Sequence, residues 1–327
     1  MPTPDVAHPG GAGVPAAGVP AAGVPAAGVP AAGVPAAGVP AAGVAAVIVN
    51  FNARDHLVEC VRSLRADGVD DVVVVDNASS DGSEEELAAS DPDSRFLPTG
   101  SNLGFGRAAN VGVANTGAGY VLILNPDTIV EPGTTKALTA ALDRDPGLAV
   151  VAPRLDNPDG TLYPSARRFP KMTDAVGHAF LGVVWRRNPF TVRYRMLDWD
   201  HAEAGSVDWV GGACMLVRRS AFEQVGGFDP AYFMYVEDVD LCWRLRRAGW
   251  TVGYEPAGRV MHTVGASSQL APYRMILAHH RSLLRFANRT TSGAGRALLP
   301  VVAAGLGVRT VLAWAQHRLD RRPPATH

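Results

Sequence analysis

Four consecutive valines, Val72–Val75, constrain the fold more than any other stretch of the chain. Successive strand side chains point to opposite faces, so an unbroken apolar run needs cover on both sides, as in a parallel sheet between helices. The neighbouring segments fit that setting. Ala45–Phe51 is a short apolar run ending in polar residues, Arg95–Leu97 is a short strand candidate, and Tyr120–Leu124 is another buried strand. Between them, Arg54–Ala66 carries Leu57, Val58, Val61 and Leu64 at helical spacing, and Gly68 closes it. Ser83–Ala89, Gly104–Asn115 and Gly133–Leu142 are further helix predictions. This alternation predicts an α/β fold: a Rossmann-like, open, mostly parallel sheet with flanking helices and right-handed βαβ crossovers.

The N-terminal part follows other rules. Residues 13–42 are six copies of Gly-Val-Pro-Ala-Ala, followed by the Pro-less copy Gly43-Val44-Ala45-Ala46. A proline at every fifth residue removes a backbone donor and forbids a continuous helix, so residues 1–43 are expected to form a disordered arm. The catalytic domain is then expected over residues 44–268, with a C-terminal helical, membrane-peripheral segment over 269–327. Lys and Arg (30) almost balance Asp and Glu (31), so nothing points to a nucleic-acid partner. Three widely spaced cysteines make neither a disulfide framework nor a zinc knuckle, and the N-terminus lacks the features of a secretory signal. A reducing, cytoplasmic setting is expected.

In open α/β sheets, ligands bind beyond the carboxyl ends of the strands, and the polar clusters fall there. Asn50-Phe51-Asn52 follows the first strand, Asp76 to Ser83 the second, and Asn125-Pro126-Asp127 the fourth. Asp76 is placed to accept a pyrimidine ring N–H, although an Asx turn explains it equally, and Asp81 or Ser83 suits the cap of the next helix. Asn125-Pro126-Asp127 is good turn chemistry; a carboxylate just past a buried strand also suits a divalent cation that neutralises a diphosphate. In Asn102-Leu103-Gly104-Phe105-Gly106-Arg107-Ala108-Ala109, the glycines match the Gly-x-Gly-x-x-Ala dinucleotide fingerprint, with Asp127 about 20 residues on. An NAD-dependent oxidoreductase is therefore a rival, weakened because Pro98–Asn102 separates the motif from its strand.

Asp229 to Arg244 carries more chemistry. A turn and a run of large aromatics lead into a helix with Glu237, Asp238 and Asp240 in its first turn. Matching of the helix dipole accounts for Asp240, but not for an aromatic wall against two adjacent acids. That setting suits a partly buried carboxylate acting as general base, with Asp238 and Glu237 the catalytic candidates. His262 stands at a strand end, either as a structural histidine or as a metal ligand beside Asp127.

Taken together, these residues resemble a family 2 glycosyltransferase of the GT-A fold over roughly residues 45–290. The motifs occur in order: Val75 to Ser83, Asn102 to Gly106, Asn125 to Asp127, Gly211-Gly212, Glu237 to Leu241, and His262. The resemblance implies nucleotide-sugar binding by Asn50, Asn52, Asp76, Asp81, Asn102, Arg107, Asn125 and Gly212. It implies a Mg²⁺ or Mn²⁺ cofactor held by Asp127 and His262, and Asp238 as base. The metal motif begins with Asn125 where the family usually has aspartate, a feature of its rhamnosyltransferase branch. Leu97–Gly100, Asp159–Arg167 and Trp185–Phe190 resemble that branch too. A dTDP-L-rhamnose donor, an N-acetylglucosaminyl-diphospho-polyprenol acceptor, inversion and a role in cell-wall linker assembly are implied.

Between Ser165 and Met196 there are seven basic residues and one acid, interleaved with aromatics. Arg167, Arg168, Trp185, Arg186 and Arg187 are the candidates for docking on an anionic membrane at its inner face, against the plain reading of a solvated loop. Leu298–Val308 is too short to span a bilayer, which takes about 20 residues, and is interrupted by Pro300. A non-catalytic, membrane-associated sugar-nucleotide binder is the third possibility.

Overall fold

The computed structural model describes residues 41–169, 185, 187–196, 199, 201–263 and 272–320. Its first strands and helices alternate: β1 (Ala41–Asn50), α1 (Arg54–Ala66), β2 (Asp71–Asp76), α2 (Ser83–Ser90), β3 (Arg95–Pro98), α3 (Phe105–Ala114), β4 (Ala118–Leu124), β5 (Thr128–Val130), α4 (Thr134–Arg144) and β6 (Leu148–Asp156). Short strands β7 (Leu162–Tyr163) and β8 (Ala166–Arg167) follow, then α5 (Pro189–Arg195), β9 (Gly205–Val207), β10 (Trp209–Val210), β11 (Cys214–Arg218) and α6 (Arg219–Gln224). The remainder is α7 (Glu237–Arg247), β12 (Thr251–His262), α8 (Pro272–Thr290), a 3-10 turn, and α9 (Leu299–Asp320).

The main sheet runs β3-β2-β1-β4-β11-β6-β12-β5. β3, β2, β1 and β4 are mutually parallel, and β12 is parallel to β6. β11 lies antiparallel between β4 and β6, and β5 antiparallel on β12. The valine run does what its composition demands. Val72 and Val74 pack with Leu57, Leu64, Leu87 and Leu138 on one face, Val73 and Val75 with Phe105, Ala108 and Leu241 on the other. Fully burying such a side chain contributes roughly 1.5–3 kcal/mol. α3 lies unusually close to the sheet: a Cβ on Gly112 would sit 2.3 Å from Val47.

Two boundaries differ from the sequence reading. β1 begins at Ala41, where the arm was expected to run to residue 43. Pro40 is the last proline of the repeat, so the residues after it again have amides for a ladder, and Ala41 pairs with Ala118. Pro300 does not interrupt the last helix. It sits in the first turn of α9, where a missing N–H costs nothing, and the helix continues through Arg309 to Asp320. Among the described residues, no helix is long and apolar enough to cross a membrane.

Candidate active site

The carboxyl ends of β1 and β2 form one hydrogen-bonded edge. Asn50 Nδ2 donates to Asp76 Oδ1 at 2.9 Å and to Ser79 Oγ at 3.1 Å. The Ser79 amide donates to Asp76 Oδ2 at 2.9 Å, and the Ser79 hydroxyl to Oδ1. Asp76 is thus both the anchor of a turn and a buried carboxylate fixed at the sheet edge. Asn52, at a positive φ of 49°, receives the Ser80 amide on its side-chain oxygen. Ser79 was missed as a site residue, although the Asp-x-x-Ser spacing is its signal. Asp81 is turned to the helix starts: it accepts the Arg54 amide on one oxygen and the Ser83 amide and hydroxyl on the other. Burial opposes its ionisation, but the Ser83 hydroxyl and Arg54 amide outweigh it and hold the pKa below the usual carboxylate range.

Beyond β4, the Asn125 amide donates to Ala213 O at 3.0 Å, while Asn125 O receives the Thr128 hydroxyl at 2.7 Å. This turn places Asp127 against His262, which pairs across the β5–β12 ladder with Thr128. His262 Nε2 lies 3.3 Å from Asp127 Oδ1, and both side chains are over nine-tenths buried. Nδ1 of His262 has no hydrogen-bond partner among the described residues, and the Tyr163 ring meets the imidazole edge-on at 5.5 Å. No group of three or more His, Cys, Asp or Glu side chains suited to a metal occurs among the described residues.

The glycines around Phe105 serve a close approach of chains. The Phe105 amide donates to Phe233 O at 3.1 Å, and a Cβ on Gly104 would stand 1.9 Å from that oxygen. A Cβ on Gly106 would come within 2.9 Å of Phe228. The resemblance to a dinucleotide fingerprint is therefore coincidental, since the loop before α7 occupies the space the glycines open. Asn102 Oδ1 receives the Gly104 amide at 3.0 Å, and Arg107 Nε donates to Pro230 O at 2.6 Å.

Asp238 stands in the first turn of α7. Its Oδ2 accepts the Gly212 amide at 2.9 Å and its Oδ1 the Val239 amide at 2.8 Å. Gly212 precedes Ala213, the acceptor for Asn125, so a short backbone path joins the turn of Asp127 to Asp238. Burial raises the Asp238 pKa, opposed by these amides and by the charge of Arg167. Glu237 is raised as well, by burial first and then by Asp238, and its buried Oε2 has no partner among the described residues. Asp240 does more than match the helix dipole. It is fully buried and accepts from Arg244 at 2.7 Å, Arg289 at 2.6 Å and Tyr232 at 3.2 Å. Arg289 escaped the sequence reading because its partners lie 49 and 60 residues away, beyond any local motif.

The expected docking residues separate. Arg167 lies over the Trp209 ring at 5.1 Å and donates to Pro164 O, close enough for its charge to act on Asp238. Arg168 and Arg187 are exposed and Trp185 is 55% exposed, while Arg186 lies outside the described residues.

Residues 45–226 match the model of glycosyl transferase family 2. The chain belongs to this family. An N-acetylglucosaminyl-diphospho-decaprenol L-rhamnosyltransferase of Mycobacterium tuberculosis is 41% identical over 266 residues, covering 77% of this chain and 86% of that one. Rhamnosyltransferase WbbL of Escherichia coli K12 is 26% identical, over 74% of this chain and 92% of its own length. A mannosyltransferase from Pyrobaculum calidifontis, solved with GDP-Man and Mn²⁺, shares the fold at a TM-score of 0.53 and 16% identity, covering 84% of this chain and 75% of that one. GalNAc-T7, solved with UDP, GalNAc and Mn²⁺, has a TM-score of 0.52 and 17% identity, over 69% of this chain and 44% of that one. This family 2 glycosyltransferase thus has the GT-A fold, and the oxidoreductase reading is set aside.

Proposed function

We propose that this glycosyltransferase moves L-rhamnose from dTDP-L-rhamnose to N-acetylglucosaminyl-diphospho-polyprenol, with inversion, as a step of cell-wall linker assembly. The observation that carries the reaction type is the junction at Gly212-Ala213, which brings Asp238 to the strand end bearing Asn125 and Asp127. Donor and acceptor rest on the name of the mycobacterial relative and the motifs shared with its branch.

Asp76, fixed by Asn50 and Ser79, accepts the pyrimidine N–H of the donor base, with Asn52, Asn102, Arg107, Asn125 and Gly212 along the same edge. Asp81 serves this edge by holding the starts of α1 and α2. Asp127 and His262 are the residues that would hold a divalent cation. One carboxylate and one imidazole, with Nε2 of His262 3.3 Å from Asp127 Oδ1, leave most ligand positions to substrate phosphates and water, as Mg²⁺ or Mn²⁺ prefers. Such an ion, when bound, neutralises the diphosphate leaving group.

Asp238 takes the proton of the acceptor hydroxyl as its oxygen bonds to the anomeric carbon and the bond to the diphosphate breaks. The Gly212 and Val239 amides orient the carboxylate, and its burial raises its basicity. Arg167 faces the reacting carboxylate and serves the acceptor diphosphate, while Arg168, Trp185 and Arg187 face the membrane. The C-terminal helices add to that surface: Val301, Val308 and Val311 on α9 are each at least 60% exposed, and no acidic residue occurs between Glu255 and Asp320. A peripheral position on the inner face of the membrane follows.

A donor screen against a short-chain N-acetylglucosaminyl diphosphate lipid, with and without EDTA, tests this reading. Transfer from dTDP-L-rhamnose alone, lost with EDTA, is expected. Transfer from UDP- or GDP-sugars in preference, or undiminished in EDTA, overturns the donor or the metal.

A further inference from the structure

The segment 229–240, which delivers Asp238, is held in an unusual backbone. Tyr235 and Val236 are consecutive non-glycine residues with positive φ, at 66° and 68°. Side-chained residues rarely occupy that region, least of all a β-branched valine, and they stay there only where the surroundings over-determine it. The surroundings do so at several points. Phe233 O receives the Phe105 amide at 3.1 Å, and Met234 O receives the Ser282 hydroxyl of α8 at 3.0 Å.

The two ends of the segment are tied by one side chain. Arg289, near the end of α8, donates to Asp229 at 2.8 Å and to Asp240 at 2.6 Å. Neutralisation of Asp240 does not require it, because Arg244 already pairs with that carboxylate from one turn along α7. Asp229 likewise has a second cation in Arg285 at 3.1 Å. What Arg289 adds is the connection. Its Nη1 donates to both carboxylates and so closes the segment across the strained pair, within two residues of Asp238.

We propose that Arg289 is a positioning residue for transfer, holding the 229–240 segment closed so that Asp238 meets the acceptor hydroxyl. This rests on the reading of Asp238 as base. Misplacing a reacting group by about 1 Å costs roughly 100-fold in rate, so opening this staple acts on turnover, while Asn50, Asn52 and Asp76 of the donor edge stand at the ends of β1 and β2, outside the segment.

The test uses the full chain with Arg289→Gln, Arg289→Lys and Asp229→Asn, measuring kcat with the acceptor lipid, dTDP affinity by calorimetry, and thermal melting. Arg289→Gln is expected to lower kcat about 10- to 100-fold with dTDP affinity within about two-fold, and Arg289→Lys to recover part of the loss. Asp229→Asn, which opens one end only, is expected to give a smaller loss in kcat and covers the case in which Arg289→Gln does not fold. If Arg289→Gln or Asp229→Asn keeps parental kcat, or if kcat, dTDP affinity and melting fall together, the positioning role is wrong. Asp238→Asn, run alongside, separates the two readings: its retained activity removes the base, whereas its inactivity beside an unaffected Arg289 variant removes only the staple.

Discussion

The backbone amide of Gly212 donates to Asp238 Oδ2 at 2.9 Å, although the two residues lie on different elements. This bond fixes one carboxylate oxygen through main chain, which no substitution at Gly212 other than proline deletes. Asp238→Asn is expected to lower kcat by about 100- to 10,000-fold while leaving dTDP affinity intact. The proposed base must be ionised, and burial raises its pKa, so the acid limb of the parental rate profile is expected above the ordinary Asp value near 3.9. Initial rates against pH and dTDP calorimetry check both points.

Glu237 lends itself to a measurement on folding. Its pKa is higher folded than unfolded, because burial and the neighbouring Asp238 disfavour its charge. The protein therefore loses stability as pH rises from the unfolded glutamate value near 4.3 through the raised folded one. Glu237→Gln, which cannot ionise, is expected to remove roughly 1 kcal/mol or more of that loss. Urea unfolding of both proteins at pH 6 and pH 9 gives the comparison, and identical pH slopes would count against it.

For the Asp127–His262 pair, chelation and substitution should agree. EDTA is expected to abolish transfer and Mn²⁺ or Mg²⁺ to restore it. Asp127→Asn and His262→Ala are expected to raise the metal concentration for half-maximal rate at least about 10-fold, as losing a ligand or its close support does. A metal titration reads this directly.

Gly104 has φ 83° and ψ 167°, a region that only glycine occupies comfortably, and its missing Cβ makes room for Phe233 O. Gly104→Ala adds backbone strain to a clash, for an expected loss of roughly 2–5 kcal/mol. A fall in melting temperature with a marked loss of activity is the outcome; an unchanged melt would show that the loop gives way freely.

Exposed apolar residues on α9 give a membrane prediction. Val308→Asp combined with Val311→Asp is expected to release the protein from vesicles containing anionic lipid without changing dTDP affinity. Vesicle sedimentation at low and moderate salt measures it.

The part of this architecture legible in sequence was the part set by local pattern. Val72–Val75 had to be a strand covered on both faces, Leu57 to Leu64 had to line a helix, and the polar clusters had to end strands. β6 and β11 were not anticipated, and of β12 only its end at His262 was. Their alternation is blurred because both faces are buried, and β11 enters antiparallel, outside the βαβ rhythm. Ser79 was readable only once Asp76 was known to turn. Arg289 was not readable at all, because its meaning lies in two carboxylates contributed by distant sequence.

The meeting of Gly104 and Phe233 has a practical consequence for anyone recombining this enzyme with its relatives. A seam drawn between β4 and β11 divides the chain in sequence but cuts through an interlocked surface in space. Exchanging one side of that seam alone is expected to break the contact of Gly104 and Phe105 with Phe233. A workable hybrid must carry residues 104–106 together with 228–237 from one parent, so the unit of exchange is a pair of distant segments.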